Sequence, residues 1–111
     1  MLTVEALRSA GVDVDSGLDR CMGNENFYIR LVKMTLEDES FGVLRKAVEA
    51  HDLDKGFECA HALKGVLGNV SLTNVLGPVL ELTEALRARE DRDYSDLLDK
   101  MDEEVEKLRA L

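Results

Sequence analysis

The chain has 111 residues, 45% of them hydrophobic, with one proline, no tryptophan and a formal net charge of −9. That length suits one apolar core and leaves little room for two, while the charge opposes a phosphate backbone, so no nucleic acid is expected as a direct partner. No run reaches the roughly 18 uncharged apolar residues of a membrane span, no basic region precedes an apolar N-terminal segment, and Cys21 and Cys59 are too few for a disulfide framework, so a cytoplasmic chain without membrane insertion is expected.

Good helix formers recur in long unbroken stretches. Leu2, Ala6 and Leu7 share one side of a short helix over residues 2–10 that Gly11 stops. Asp13, Val14, Asp15, Ser16 and Gly17 read as a turn-rich connector, followed by one more turn of helix over 18–22; Asn24 caps the next helix. Phe27, Leu31 and Met34, with Val32 and Leu36 beside them, have the spacing of a buried stripe, closed by Glu37, Asp38 and Glu39. Ser40 restarts a helix that turns Phe41, Leu44, Ala47 and Val48 inward and ends near His51, so residues 25–51 form one long helix or two abutting ones. A third main helix spans about 53–70 and a fourth about 72–89, joined by so short a turn that the two are antiparallel neighbours. Pro78, after Gly77, removes a backbone donor and is expected to kink the fourth helix or delay its start. Residues 87–93 are polar throughout and read as a loop, before Leu97, Leu98, Met101, Val105 and Leu108 mark a last amphipathic helix. The expected fold is all-α: an antiparallel up-and-down four-helix bundle with a short N-terminal helix. It forms a single domain over 1–111, with 1–23 as N-terminal helix and connector and 24–111 as the bundle.

At about 100° per residue, Cys59, Leu63, Val66 and Val70 fall together on an inward side of the third helix, flanked by Ala60 and Leu67. His61 falls about opposite, with Lys64 and Gly65 one turn onward and Gly68 two turns onward. Each glycine inside a helix costs roughly 1 kcal/mol relative to alanine, so this outward face gains something from being bare. A flat surface beside an imidazole lets another protein's backbone approach, and a neighbouring ammonium neutralises an anion attached to the ring. An imidazole with its ordinary pKa, near 6.5, is largely neutral at cytoplasmic pH and offers one nucleophilic nitrogen. Glu58 and Phe57 project about 60° and 40° from His61; Phe57 either borders the same surface or tucks between helices. Cys59 reads as a small core residue and His51 as a side chain at a helix C-terminus. The carboxylates Glu81, Glu84, Asp99, Asp102, Glu103, Glu104 and Glu106 read as solvated faces rather than a metal centre.

The string Ala60-His61-Ala62-Leu63-Lys64-Gly65 resembles the His-x-x-Lys-Gly signature of the histidine phosphotransfer (HPt) family. Similarity extends through Gly23-Asn24-Glu25-Asn26-Phe27-Tyr28, the Ala50-His51-Asp52 turn and the leucine-rich helix after the histidine, over nearly the whole chain. The resemblance implies a phosphocarrier without kinase activity, in which His61 takes a phosphoryl group from one receiver aspartate on its outer ring nitrogen and gives it to another. Lys64 would stabilise the phosphoryl charge, and Gly65, Gly68, Glu58 and Phe57 would form the docking surface. It further implies response-regulator receiver domains and a hybrid sensor kinase as partners, magnesium held by the receiver, and no cofactor of the chain's own; a monomer is the default. Consistent with this, the sequence has no glycine-rich nucleotide loop. Ser71 stands where the family often has glycine and suits the cap of the following helix. Two other readings share these residues: the phosphoacceptor segment of a larger sensor or chemotaxis kinase, and a non-catalytic helical adaptor that binds receivers without carrying phosphate.

Overall fold

The computed structural model describes residues 1–111, and every regular element in it is helical. Helix α1 (Val4–Ser9) begins where Thr3 Oγ1 accepts from the Ala6 N–H at 3.0 Å, and it buries Val4 and Leu7. Helix α2 (Val14–Arg20) follows at once, because Asp13 caps it, Oδ1 accepting from the Ser16 N–H at 3.3 Å. The expected connector is therefore the first turn of a second N-terminal helix. Asp, Ser and Gly signal a turn and a helix start equally well, and here the cap wins.

Helix α3 (Glu25–Leu36) starts at the expected cap, with Asn24 Oδ1 accepting from the Phe27 N–H at 3.0 Å. It ends before Glu37, and α4 (Ser40–Glu49) is a separate helix whose Ser40 N–H donates to Asp38 Oδ1 at 2.8 Å. The buried side of α3 is Tyr28, Val32, Thr35 and Leu36, whereas Phe27 and Met34 are exposed, Met34 by 61%. The expected Phe27-Leu31-Met34 stripe is therefore one row too far round the helix. What draws the Tyr28 row inward is a buried hydrogen bond from Tyr28 Oη to the Val70 carbonyl at 2.8 Å, which satisfies the hydroxyl inside the core. Burial pushes the Tyr28 phenol up to about 12.

Past α4, His51 sits at φ +58 and closes the helix, with the His51 N–H donating to Val48 O and the Asp52 N–H to Ala47 O. Asp52 then caps α5 (Leu53–Asn69) through the Lys55 N–H. The turn to α6 (Thr73–Arg87) closes the same way, and its left-handed residue is Ser71, at φ +56. This backbone favours glycine, which accounts physically for the glycine expected there. Serine is held by its side chain instead: Ser71 Oγ accepts from Arg20 Nη1 at 2.9 Å and lies 3.1 Å from Ser16 Oγ. It does not cap α6, whose N-cap residue is Leu72. Nor does Pro78 delay that helix, which runs from Thr73 to Arg87 with the proline inside it. A loop over 88–94, tied by Tyr94 Oη donating to Glu90 O at 2.8 Å, leads into α7 (Ser95–Arg109).

Helix α5 packs against α4 and α6, α6 against α7, and α3 against α7. Helices α3 and α4 succeed one another along α7, where Arg109 Nε donates to the Leu36 carbonyl at 2.7 Å, and they form one arm of a four-helix bundle with α5, α6 and α7. Arg45 on α4 staples α7 by donating to Asp99 at 2.7 Å and Asp102 at 2.9 Å. The N-terminal helices join the same core: Val4, Leu7, Val12 and Val14 belong to one cluster with Leu63, Leu67, Leu82 and Leu98. Asn74 Nδ2 of α6 donates to Ala10 O at 2.9 Å, and Arg20 donates to the Gly68 carbonyl, so α1 and α2 brace both arms of the α5–α6 hairpin.

Candidate functional site

Helix α5 buries Gly56, Ala60, Leu63 and Leu67, and Val70 follows them inward. The expected inward side is therefore turned slightly: Ala60 and Leu67 stand at its centre, while Val66 is 37% exposed and Cys59 only half-buried. Cys59 faces α4, its thiol donating to the Ser40 carbonyl at 3.2 Å, and burial pushes that thiol up. The reason for the turn is steric. At Gly56 an added Cβ would lie 3.2 Å from Val48 Cγ2 and 3.6 Å from Leu86, so the Gly56 row is where α5 comes closest to α4 and α6.

His61 lies on the outward side and is exposed, as are Glu58 and Gly65, with Lys64 and Gly68 half-buried beside it. Its ring centre is 5.6 Å from that of Phe57, one turn back, at a tilt of 37°. At Gly65 and Gly68 an added Cβ would meet nothing within 4 Å, so no packing inside the chain requires either glycine. Gly42 and Gly77 are equally open, which shows that open space alone singles out nothing. What distinguishes Gly65 and Gly68 is their place in the column that starts at His61. It follows that Gly65→Ala should stabilise the fold by about 0.5–1 kcal/mol, by removing backbone freedom from the unfolded chain; urea denaturation measures this, and a loss of stability would reveal a hidden packing role.

Cations near His61 differ in how they are held. Arg89 is ion-paired with Asp54 across α5 and the α6–α7 loop, and Arg87 lies 3.6 Å from Glu84 on its own helix. The Arg87 guanidinium carbon stands 5.0 Å over the centre of the Phe57 ring. Phe57 thus does both things open to it, bordering His61 and tucking under a residue of α6. Arg87, which the sequence reading placed both in the fourth helix and in the polar stretch that follows, is the last residue of α6. A hairpin folded about Ser71 places residues roughly equidistant from the turn face to face, and that count alone brings position 87 near position 57. Asp54, Phe57, Glu58, Leu86, Arg87 and Arg89 line a groove of about 490 Å³ there.

On the other flank of α5, Leu31, Met34 and Thr35 of α3 and Asp38 in the turn after it meet Val66, Asn69 and Val70 around an apolar groove of about 270 Å³. The Leu31 and Met34 row expected in the core lines this surface instead. His51, the other histidine, stands just before α5 and lines a groove of about 550 Å³ with Arg45, Leu53, Tyr94 and Leu98 at the junction of α4, α5 and α7.

The bundle thus displays the His61 imidazole on an exposed helix face that also carries Lys64 and two positions without side chains. Comparison with known families agrees: residues 32–111, well over half the chain, match the Hpt domain, and the chain belongs to that family. No curated protein and no solved structure matches it. Hpt domains serve histidine phosphotransfer in two-component signalling, as phosphocarriers rather than kinases, and interact with the receiver domains of response regulators. No helix of the chain is long and apolar enough to cross a membrane.

Proposed function

We propose that His61 is the phosphoacceptor of a multistep relay, taking a phosphoryl group from one receiver aspartate and delivering it to another. The observation that carries this reading is the outward column of His61, Lys64, Gly65 and Gly68, in which neither glycine is needed by the chain's own packing. In the transfer the His61 Nε2 lone pair attacks phosphorus. The P–Nε2 bond forms as the P–O bond to the aspartyl carboxylate breaks, and the carboxylate leaves with the bonding pair. The ring keeps its Nδ1 proton, and the positive charge so created offsets part of the phosphoryl charge. Catalysis of this kind is mainly positioning and charge neutralisation. Magnesium belongs to the receiver in this scheme, and the chain contributes nucleophile, cation and surface with no cofactor of its own. Gly65 and Gly68 give a receiver backbone clearance, Glu58 and Phe57 border the contact, and the Leu31, Met34 and Val66 groove extends it with apolar area. The setting is a cytoplasmic monomer served by a hybrid sensor kinase.

Transfer of radiolabelled phosphate from a panel of phosphorylated receiver domains to the purified chain tests the reading. Acid-labile label on the wild-type chain supports it; no label from any properly charged receiver would favour an adaptor that binds without carrying phosphate. Lys64→Ala is expected to slow transfer about tenfold without abolishing it, since it removes one point charge near the phosphoryl group and leaves the nucleophile. An unchanged rate would remove Lys64 from the site.

A further inference from the structure

We propose that the groove at the junction of α4, α5 and α7 is a second docking site, which takes a short basic protein segment carrying an apolar anchor and can be filled while the His61 face stays free. At about 550 Å³ it has the size of clefts that hold a ligand. Its floor is apolar: Val48 of α4, Leu53 of α5, Tyr94 just before α7 and Leu98 within it. None of the residues around it belongs to the His61 column or to the two grooves that flank that column. Leu53, the one contribution from α5 itself, stands eight residues before His61, about 12 Å along the helix axis.

The rim of this groove is acidic, and its cations are already engaged. Glu49, Glu90, Asp91 and Asp93 line it against Arg45 and Arg92. Arg45 is shared by Glu49 at 3.3 Å, Asp99 at 2.7 Å and Asp102 at 2.9 Å, so one guanidinium faces three carboxylates. Arg92 lies 3.5 Å from Glu90. Asp93 has no ion pair and accepts from the Ser95 N–H at 2.8 Å, and Asp91 is exposed with no partner at all. Negative charge left over beside an apolar floor draws in a cation and favours an apolar group next to it.

The Tyr94 ring adds a further attraction of the same sign. The Arg92 guanidinium carbon stands 5.6 Å over its centre, so the ring already takes a cation on its face. A second copy of the chain fits this surface poorly, because each copy carries a net charge of −9. A Lys- or Arg-rich segment with an aliphatic side chain among its cations meets both the rim and the floor.

The test uses the full chain and a fluorescein-labelled peptide of alternating lysine and leucine, read by anisotropy in about 0.15 M salt, where exposed charges more than about 8 Å apart are largely screened. A peptide of equal charge with serine for each leucine is expected to bind about tenfold more weakly. Asp91→Lys and Glu5→Lys change the net charge equally, one at the rim and one on α1. Asp91→Lys is expected to weaken binding about fivefold or more and Glu5→Lys by less than about twofold. On titration with the peptide, the amide resonances of Leu53, Tyr94 and Leu98 are expected to shift while those of His61, Lys64 and Gly65 stay in place. No binding of the lysine–leucine peptide would overturn the proposal. So would equal losses in Asp91→Lys and Glu5→Lys, which would trace binding to overall charge, or a serine peptide that binds as well, which would leave the apolar floor without a part. Shifts centred on His61 would place the peptide on the other face, and self-association that the peptide competes away would give the groove to a second copy; either result would overturn the proposed occupant.

Discussion

His61→Gln is expected to take no acid-labile phosphate from any phosphorylated receiver, a loss on the order of a thousandfold or more, as follows from deleting a nucleophile outright. Its unfolding free energy should stay within about 0.5 kcal/mol of wild type, because the substitution falls on an exposed helix position. The structure gives the reason for both halves. The imidazole is outside the core, its one ring contact is Phe57, and the residues that hold α5 in place are Ala60, Leu63 and Leu67 on the other side. Glutamine keeps polarity and helix propensity but offers no ring nitrogen. Label that persists in His61→Gln with the same acid lability would point to His51, the only other histidine, and would sink the proposed site.

How far the sequence foretold this arrangement depends on how many rows of a helix carry apolar residues. Helices α5, α6 and α7 were legible almost to their ends because their apolar periodicity runs on until a short turn or polar stretch interrupts it, as in the Leu98, Met101, Val105 and Leu108 stripe. On α3, two adjacent rows are both apolar, Phe27-Leu31-Met34 and Tyr28-Val32-Leu36, and periodicity cannot rank them. The deciding fact is long-range, the Tyr28 hydroxyl reaching the Val70 carbonyl across 42 residues of sequence. The same limit shifted the α5 face from Val66 toward Ala60 and Leu67, yet His61 stayed outward, since a small rotation leaves the far side of a helix exposed.

Local chemistry misled where one residue type serves two motifs. Asp13 was taken for a turn former although it caps α2, and Ser71 for a cap although it occupies a left-handed turn. Both errors concern residues whose side chains satisfy backbone or neighbouring polar groups, and which group they reach depends on a partner helix that pattern reading does not supply. Arg20, which bonds Ser71 and the Gly68 carbonyl, is that partner for the α5–α6 turn. The histidine column was readable because its signal is local to one helix.

Gly17→Leu is expected to destabilise the chain by about 3 kcal/mol or more, enough to lower the melting temperature by roughly 12 °C. Gly17 and Gly42 both sit inside helices and both should gain stability on substitution if helix propensity alone ruled. At Gly42 nothing lies within 4 Å of an added Cβ, and Gly42→Ala should indeed gain. At Gly17 the added atom would lie 2.7 Å from Tyr28 Cζ and 2.8 Å from its Oη, closer than van der Waals contact permits. Tyr28 cannot retreat without giving up its hydrogen bond to Val70 O inside a closed core, so α2 must lift away, and with it the Arg20 bonds to Gly68 and Ser71. Urea denaturation of both single variants and of Gly17→Leu combined with Tyr28→Leu separates the causes. If the clash is the cause, the double variant loses less than the two single losses added together; strict additivity would show that Gly17 is needed for some reason other than the ring of Tyr28.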